Sequence, residues 1–368
     1  LGRLVKILIL LGVLFGLFML LCAGTLFFVS GGNPASFIQT EWLRFSLSSR
    51  ESELNSPISA DTTPRRFSVN AGNTPPQIAE RLYQEGLIRD AQLFVDYVRV
   101  SGLDTEIEAG VYFLNQAQSL VQIAQAITDS ASSYIPFRIL EGWRIEEVAA
   151  AIDNNRLFGF SGVDFLAVVG PNALVDPEFS AFVSLPAGAS LEGFLFPDSY
   201  QLPPEITPEG LRDLLTQTFR ERITPQMLQD AQAQNLTLYQ VVTIASIAER
   251  ESVHADENSM ITSAYRNRLN QGMKLDADPT VQYGIGYQNG SWWPQITQAD
   301  YVNAVHAYNT YLNTGLPPGP IANPGISAIQ AAIYPAESDF IFFRAKCDGS
   351  GYHNFARTFE EHLANGCS

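Results

Sequence analysis

Apolar positions fall into three regimes along the chain. Ile7 to Val29 is an unbroken run of 23 residues without a charge. At about 1.5 Å rise per residue, such a run is long enough to cross one bilayer as a helix. Between Gly31 and Pro64, Ser, Pro, Asn and Thr predominate around one apolar patch, Phe37, Ile38, Trp42, Leu43 and Phe45. That composition predicts a mobile tether over 30–65. From Arg66 onward, short strand-like stretches alternate with helical periodicity, as in an α+β protein.

The folded part begins with a repeat. Phe67-Ser-Val-Asn-Ala-Gly72-Asn-Thr-Pro-Pro-Gln-Ile-Ala79 matches Phe137-Arg-Ile-Leu-Glu-Gly142-Trp-Arg-Ile-Glu-Glu-Val-Ala149 at an offset of 70. Each copy reads as a strand, a Gly turn, an amphipathic helix and a second helix (Leu93–Val100; Phe165–Val169). Each then closes on a Gly followed by aromatics, in Glu108–Phe113 and in Leu191–Phe196. The pattern predicts two β-α-α-β units, over 66–130 and 131–200, the second with an insertion at Pro171–Ser190.

Helices are expected next at Pro208–Arg222, where Thr207 is placed to cap, and at Pro225–Gln234. Thr237 and Gln240 then have capping-box spacing ahead of Leu238, Val241, Val242, Ile244, Ala245, Ile247 and Ala248, a buried helix ending in Glu249-Arg-Glu251-Ser252. An amphipathic segment with Met260, Ala264, Tyr265 and Leu269 follows. Past Met273 the periodicity fades into turns, with a helical turn or two at Ala328–Ala332, a strand at Phe340–Phe343 and a short helix at Phe359–Leu363.

Charge orients the chain. Arg3 and Lys6 precede the apolar run and no Lys or Arg returns until Arg44. The positive-inside bias therefore puts residues 1–6 in the cytoplasm, 7–29 in the membrane and the rest outside. A cleaved signal peptide is the competing reading, but the run exceeds the usual apolar region of about 7–15 residues and lacks an obvious small-x-small end. Cys22 lies within the run. Setting aside Arg3 and Lys6, the 22 basic residues fall to 20 against 38 acidic, a balance of −18. That balance argues against a nucleic-acid surface. Cys347 and Cys367 are the two exterior cysteines: in an oxidising compartment they either bridge or stay separate thiols.

Chemistry is narrowed by what the chain lacks. No phosphate loop sits in a strand–helix context and no Gly-x-Ser-x-Gly elbow occurs. His254, His306, His353 and His362 lack metal-ligand spacing, so neither metal nor cofactor is expected. Acid–base work by Glu249 and Glu251 is left. Two residues apart on a helix, they point about 200° away from each other. Only one is expected to enter a cleft, the other making a salt bridge or facing water. Taken alone, the pair is also what a solvated helix end looks like. Rings and amides downstream (Gln282, Tyr283, Trp292, Trp293, Tyr308, Asn309, Tyr311) suit sugar faces and hydroxyls, and equally suit packed loops.

Ala245-Ser-Ile-Ala-Glu-Arg-Glu-Ser252, Tyr265-Arg-Asn-Arg-Leu269, Gly272-Met-Lys-Leu275, Asp278-Pro-Thr280, Gln282-Tyr-Gly284, Tyr308-Asn-Thr-Tyr311 and Gly315-Leu-Pro-Pro-Gly319-Pro-Ile-Ala-Asn-Pro-Gly325 occur in this order. In these blocks the chain resembles the endolytic murein transglycosylases, the YceG-like family, over roughly residues 66–363. Ala248 and His306 are small departures from that pattern. The resemblance implies a LysM-like module at 66–130 and a mixed helical, loop-rich catalytic domain at 131–368, anchored in the bacterial cell membrane by one helix. It places the catalytic acid on Glu251 and an accompanying acid on Glu249. Ser252, Asp278, Thr280, Gln282, Tyr283, Tyr308, Asn309, Tyr311 and Glu192 become supporting or substrate-binding residues. The implied substrate is a peptidoglycan glycan strand cut internally between N-acetylmuramic acid and N-acetylglucosamine, leaving 1,6-anhydro ends. Cell-wall synthases are conceivable partners that leave no readable mark. Two alternatives stay open: a hydrolytic muramidase using Asp276, Asp278 or Glu192 as second carboxylate, and a non-enzymatic wall-binding scaffold.

Overall fold

A computed structural model describes residues 2–130 and 133–367, in two compact units, 1–133 and 134–368. Leu1, Ala131, Ser132 and Ser368, at the ends of the expected 1–6 and 131–368 segments, lie outside the described residues.

The first unit opens with the Gly2–Val29 helix, whose Ile7–Val29 stretch is long and apolar enough to cross a membrane. The tether expectation fails over much of its length. Pro34–Ser49 and Glu51–Asn55 are helical, and Leu43, Leu47 and Leu54 are buried. Average composition concealed the spacing of these leucines, which the neighbouring helix completes. Arg50 adds an ion pair to Asp90 at 2.7 Å. Two antiparallel strands, β1 (Arg65–Val69) and β2 (Gly110–Leu114), pair with Phe67 opposite Tyr112. Between them run the Pro75–Gln84 and Ala91–Ser101 helices, started by a Thr74/Gln77 capping box and by the Asp90 carboxylate on the Leu93 N–H. Phe67, Ile78, Leu82, Phe94, Tyr112 and Ile123 fill the core beneath.

The second unit repeats the plan with a different closure. β3 (Ile135–Arg138) pairs antiparallel with β4 (Ser199–Leu202), Phe137 opposite Tyr200, around the Ile145–Asn154 and Gly162–Val169 helices. The closing strand thus falls at 199–202, not at Leu191–Phe196. That stretch is instead a fully buried irregular loop. Its Gly193 and Leu195 N–H groups donate to the Asn323 side chain, both at 3.0 Å, which satisfies the backbone without a strand partner. Gly193 holds φ at +89°, and a Cβ there would stand 2.5 Å from Pro320.

The Leu238–Glu251 helix is the hub of this unit. Its capping box forms, Thr237 and Gln240 exchanging hydrogen bonds of 3.0 and 3.2 Å. Residues 241–248 are all buried, packed against the Ile326–Ile333 and Asn258–Asn270 helices. Past Met273 the chain is less turn-like than its periodicity implied: Asp278–Ile285 is a helix, with Pro279 in the first turn, where its missing N–H costs nothing. β5 (Phe342–Ala345) and β6 (His353–Ala356) form a hairpin followed by the Phe359–Ala364 helix. A disulfide joins Cys347 to Cys367, their Cα atoms 5.5 Å apart.

Candidate active site

Glu251 is the last residue of the central helix; Ser252 already has extended backbone. The Ser252 hydroxyl donates to Asn258 and fastens the start of the next helix. From that helix Tyr265, buried, donates its hydroxyl to Glu251 Oε1 at 2.6 Å. The Glu251 carboxyl looks into a cleft of about 390 Å³ whose lining includes Tyr265, Arg268, Asp276, Asp278, Tyr301 and Tyr311. Burial pushes the Glu251 carboxyl up to about 7; the Tyr265 hydrogen bond opposes this and the Asp278 charge adds to it. A carboxyl in this state is available as a proton donor near neutrality.

Asp278 is a further carboxylate in the cleft, beside Asp276. Its Oδ1 accepts from the Tyr311 hydroxyl at 2.6 Å and its Oδ2 from that of Tyr301 at 3.4 Å. The two phenol rings stack at 4.1 Å. Arg268 stiffens the floor, its guanidinium donating to the Ile341 and Leu275 carbonyls and pairing with Asp276 at 3.3 Å.

The hairpin and terminal helix add Phe343, Arg344, His353 and His362 to the lining. His353 Nδ1 lies 2.9 Å from Glu257, whose carboxylate also takes the His353 N–H. A buried carboxylate therefore fixes the imidazole ring. Burial, with Arg344 and Arg268 nearby, lowers the His362 pKa. Nothing in the spacing of these residues marks the wall, because a hairpin and a helix far along the chain bring them to Glu251.

Glu249 takes neither role expected of the acid outside the cleft. Its carboxylate accepts the Gly325 N–H at 3.1 Å, at the start of the Ile326–Ile333 helix. Burial first, then the charge of Glu141, pushes it up to about 7.

The remaining expected residues divide cleanly. Asp278 and Tyr311 line the cleft with Glu251. Thr280 and Asn309 are completely buried and brace loops: Thr280 bonds Ala277 and Thr310, and Asn309 donates to the Tyr301 and Ala304 carbonyls. Gln282 donates to the Pro294 carbonyl. Tyr283, Tyr308 and Glu192 belong to a second cluster outside the cleft lining. There Arg144 lies 4.1 Å over the Tyr283 ring and 4.9 Å over Trp292. Glu192, 2% exposed, accepts from the Ile145 N–H, the Tyr283 hydroxyl and the Asn323 amide. Burial, reinforced by Glu146, raises it to about 8.

A raised carboxyl sharing a cleft with further carboxylates and several phenols is equipment for acid–base chemistry on a hydroxylated substrate. The YceG-like family model matches residues 67–366, and the chain belongs to that family. It is 29% identical to an endolytic murein transglycosylase of Bacillus subtilis (strain 168) over 324 residues, 83% of this chain and 85% of that protein. It is 27% identical to an endolytic murein transglycosylase of Streptococcus pneumoniae serotype 2 (strain D39) over 338 residues, 85% of this chain but 60% of that protein. Among solved structures it resembles a YceG-like protein from Listeria monocytogenes, with a TM-score of 0.54 and 27% identity, covering 83% of this chain and 99% of that one.

Proposed function

We propose that the chain is a membrane-anchored endolytic lytic transglycosylase, cutting glycan strands between N-acetylmuramic acid and N-acetylglucosamine, with Glu251 as its acid. The observation that carries this is the Glu251 carboxyl, raised to about 7 and held by Tyr265 at the edge of an open cleft. Protonated, it donates to the glycosidic oxygen as the bond to C1 breaks. The resulting carboxylate takes the proton of the muramyl C6 hydroxyl, whose oxygen closes onto C1. The 1,6-anhydro ring forms and the acid is regenerated, so no water needs activating. The names of the B. subtilis and S. pneumoniae relatives support the substrate class. We assign the β-α-α-β part of the first unit to holding glycan, in line with the LysM-like reading. The Ile7–Val29 helix, with Arg3 and Lys6 before it, favours a cytoplasmic N-terminus and cutting outside, near the membrane.

Asp278 favours a second reading. A carboxylate in the same cleft is what a muramidase needs to activate water, giving reducing ends. Mass spectrometry of glycan fragments, after purified wall is incubated with the protein or with Glu251→Gln, separates the readings. Anhydro-muramyl ends that vanish in the variant are expected. Reducing ends would transfer the assignment to hydrolysis, and intact glycan despite binding would leave a wall-binding scaffold.

A further inference from the structure

The Pro34–Ser49 helix has two apolar faces, and the first unit covers only one. Leu43 and Leu47 are 8% and 7% exposed, and Leu47 joins the core. Ile38, Trp42 and Phe45 are 54%, 65% and 74% exposed. At 100° per residue these three fall within about 60° of one another, on the side away from Leu43 and Leu47. A stripe of large apolar side chains is costly to leave in water and marks a contact surface.

The chain's own connectivity says what covers it. Only residues 30–33 separate this helix from the Ile7–Val29 stretch. The link is a hydrogen-bonded turn: the Gly32 N–H donates to the Phe27 carbonyl at 2.9 Å and the Phe37 N–H to that of Asn33 at 3.2 Å. Even pulled straight, so short a link reaches roughly 15 Å. The headgroup layer alone is about 5–8 Å deep on each side. The stripe therefore starts at the lipid surface. Its composition fits that place, with an indole for the interface and an exposed Glu41–Arg44 ion pair at 2.7 Å on its flank.

We propose that the Pro34–Ser49 helix lies in the membrane–water interface, with Ile38, Trp42 and Phe45 among the lipid headgroups and upper acyl chains. The first unit is then clamped to the bilayer surface, not tethered above it. This rests on the Ile7–Val29 helix crossing the membrane and is independent of the reaction assigned to Glu251.

The test uses the full chain in phosphatidylcholine vesicles. Subtracting the fluorescence of Trp42→Phe isolates Trp42 from Trp143, Trp292 and Trp293. Lipids brominated high on their acyl chains should quench the Trp42 signal severalfold more than aqueous iodide does. Its emission should be blue-shifted, and Ile38→Ser combined with Phe45→Ser should return it towards iodide. Quenching by iodide alone overturns the proposal. Protection from both quenchers, with chain-to-chain cross-links through position 42, also overturns it and makes the stripe a contact between copies.

Discussion

Glu251 and Glu192 both accept a hydrogen bond from a tyrosine hydroxyl, and burial raises both, to about 7 and about 8. Their surroundings then diverge. Glu251 fronts a cleft of about 390 Å³ with further carboxylates in it. Glu192 is sealed beneath Tyr283 and Arg144, its oxygens spent on the Ile145 N–H and the Asn323 amide. A shifted carboxyl is thus no marker of chemistry by itself. The cavity beside it, and the partners it leaves unused, separate an acid that can work from one that holds loops together.

The largest expected difference between the two is in turnover. Glu251→Gln should lower kcat on the order of 10²–10⁴-fold, the usual worth of a positioned acid. Glu192→Gln should leave the turnover of folded molecules near wild type. Comparable losses in both, measured by release of soluble glycan fragments, would erase the distinction. Next comes the wall that only the Glu251 site possesses. Cys367→Ser should cost about 3 kcal/mol of local stability by loop-closure entropy. Hydrogen exchange should rise across 342–364 while the Arg144–Tyr283 cluster stays protected. Smaller again, Glu192→Ala orphans the buried Ile145 N–H and should cost about 1–3 kcal/mol in urea unfolding, with kcat preserved.

A tilt with pH is expected as well. Glu251 is raised in the folded chain from 4.5 to about 7, so between those values the native state holds a proton that the unfolded state has released. The Glu251 contribution to stability therefore falls as pH climbs through that window and levels off above about 7. Glu251→Gln should flatten the Glu251 share of that slope, while turnover of the wild type should decline as pH passes about 7. A wild-type rate that stays level to pH 9, in contrast, would sink Glu251 as the acid.

Where the candidate site is built on local pattern, its structure was readable from residues alone. The capping box at Thr237, the buried face behind it and the two acids at its end all follow from spacing within one helix. The first strand of each repeat copy was legible too. Three things were not. Glu249 finds its partner 76 residues away at Gly325, so spacing predicted its direction but not its role. Leu191–Phe196 carries the Gly-then-aromatics pattern that closes the first copy, but Asn323 satisfies its backbone instead. Arg344, His353 and His362 reach the cleft through a hairpin and a terminal helix that a disulfide ties together, and nothing local marks them as neighbours of Glu251.

Asn323 has a consequence for how the second unit assembles. Its side chain ties Gly193 and Leu195, 130 and 128 residues earlier, and Trp143, 180 residues earlier. Pairings so distant bring no reward until the loops between them have closed. The first copy of the repeat, with β1 and β2 joined over a short span, has no such dependence. A chain gaining its residues in order would complete that copy early and leave Trp143 and Leu191–Phe196 without their tie until Asn323 had emerged. Closure of the second unit is therefore expected to be the slower step, and Asn323→Ala should show itself first as a delay in refolding.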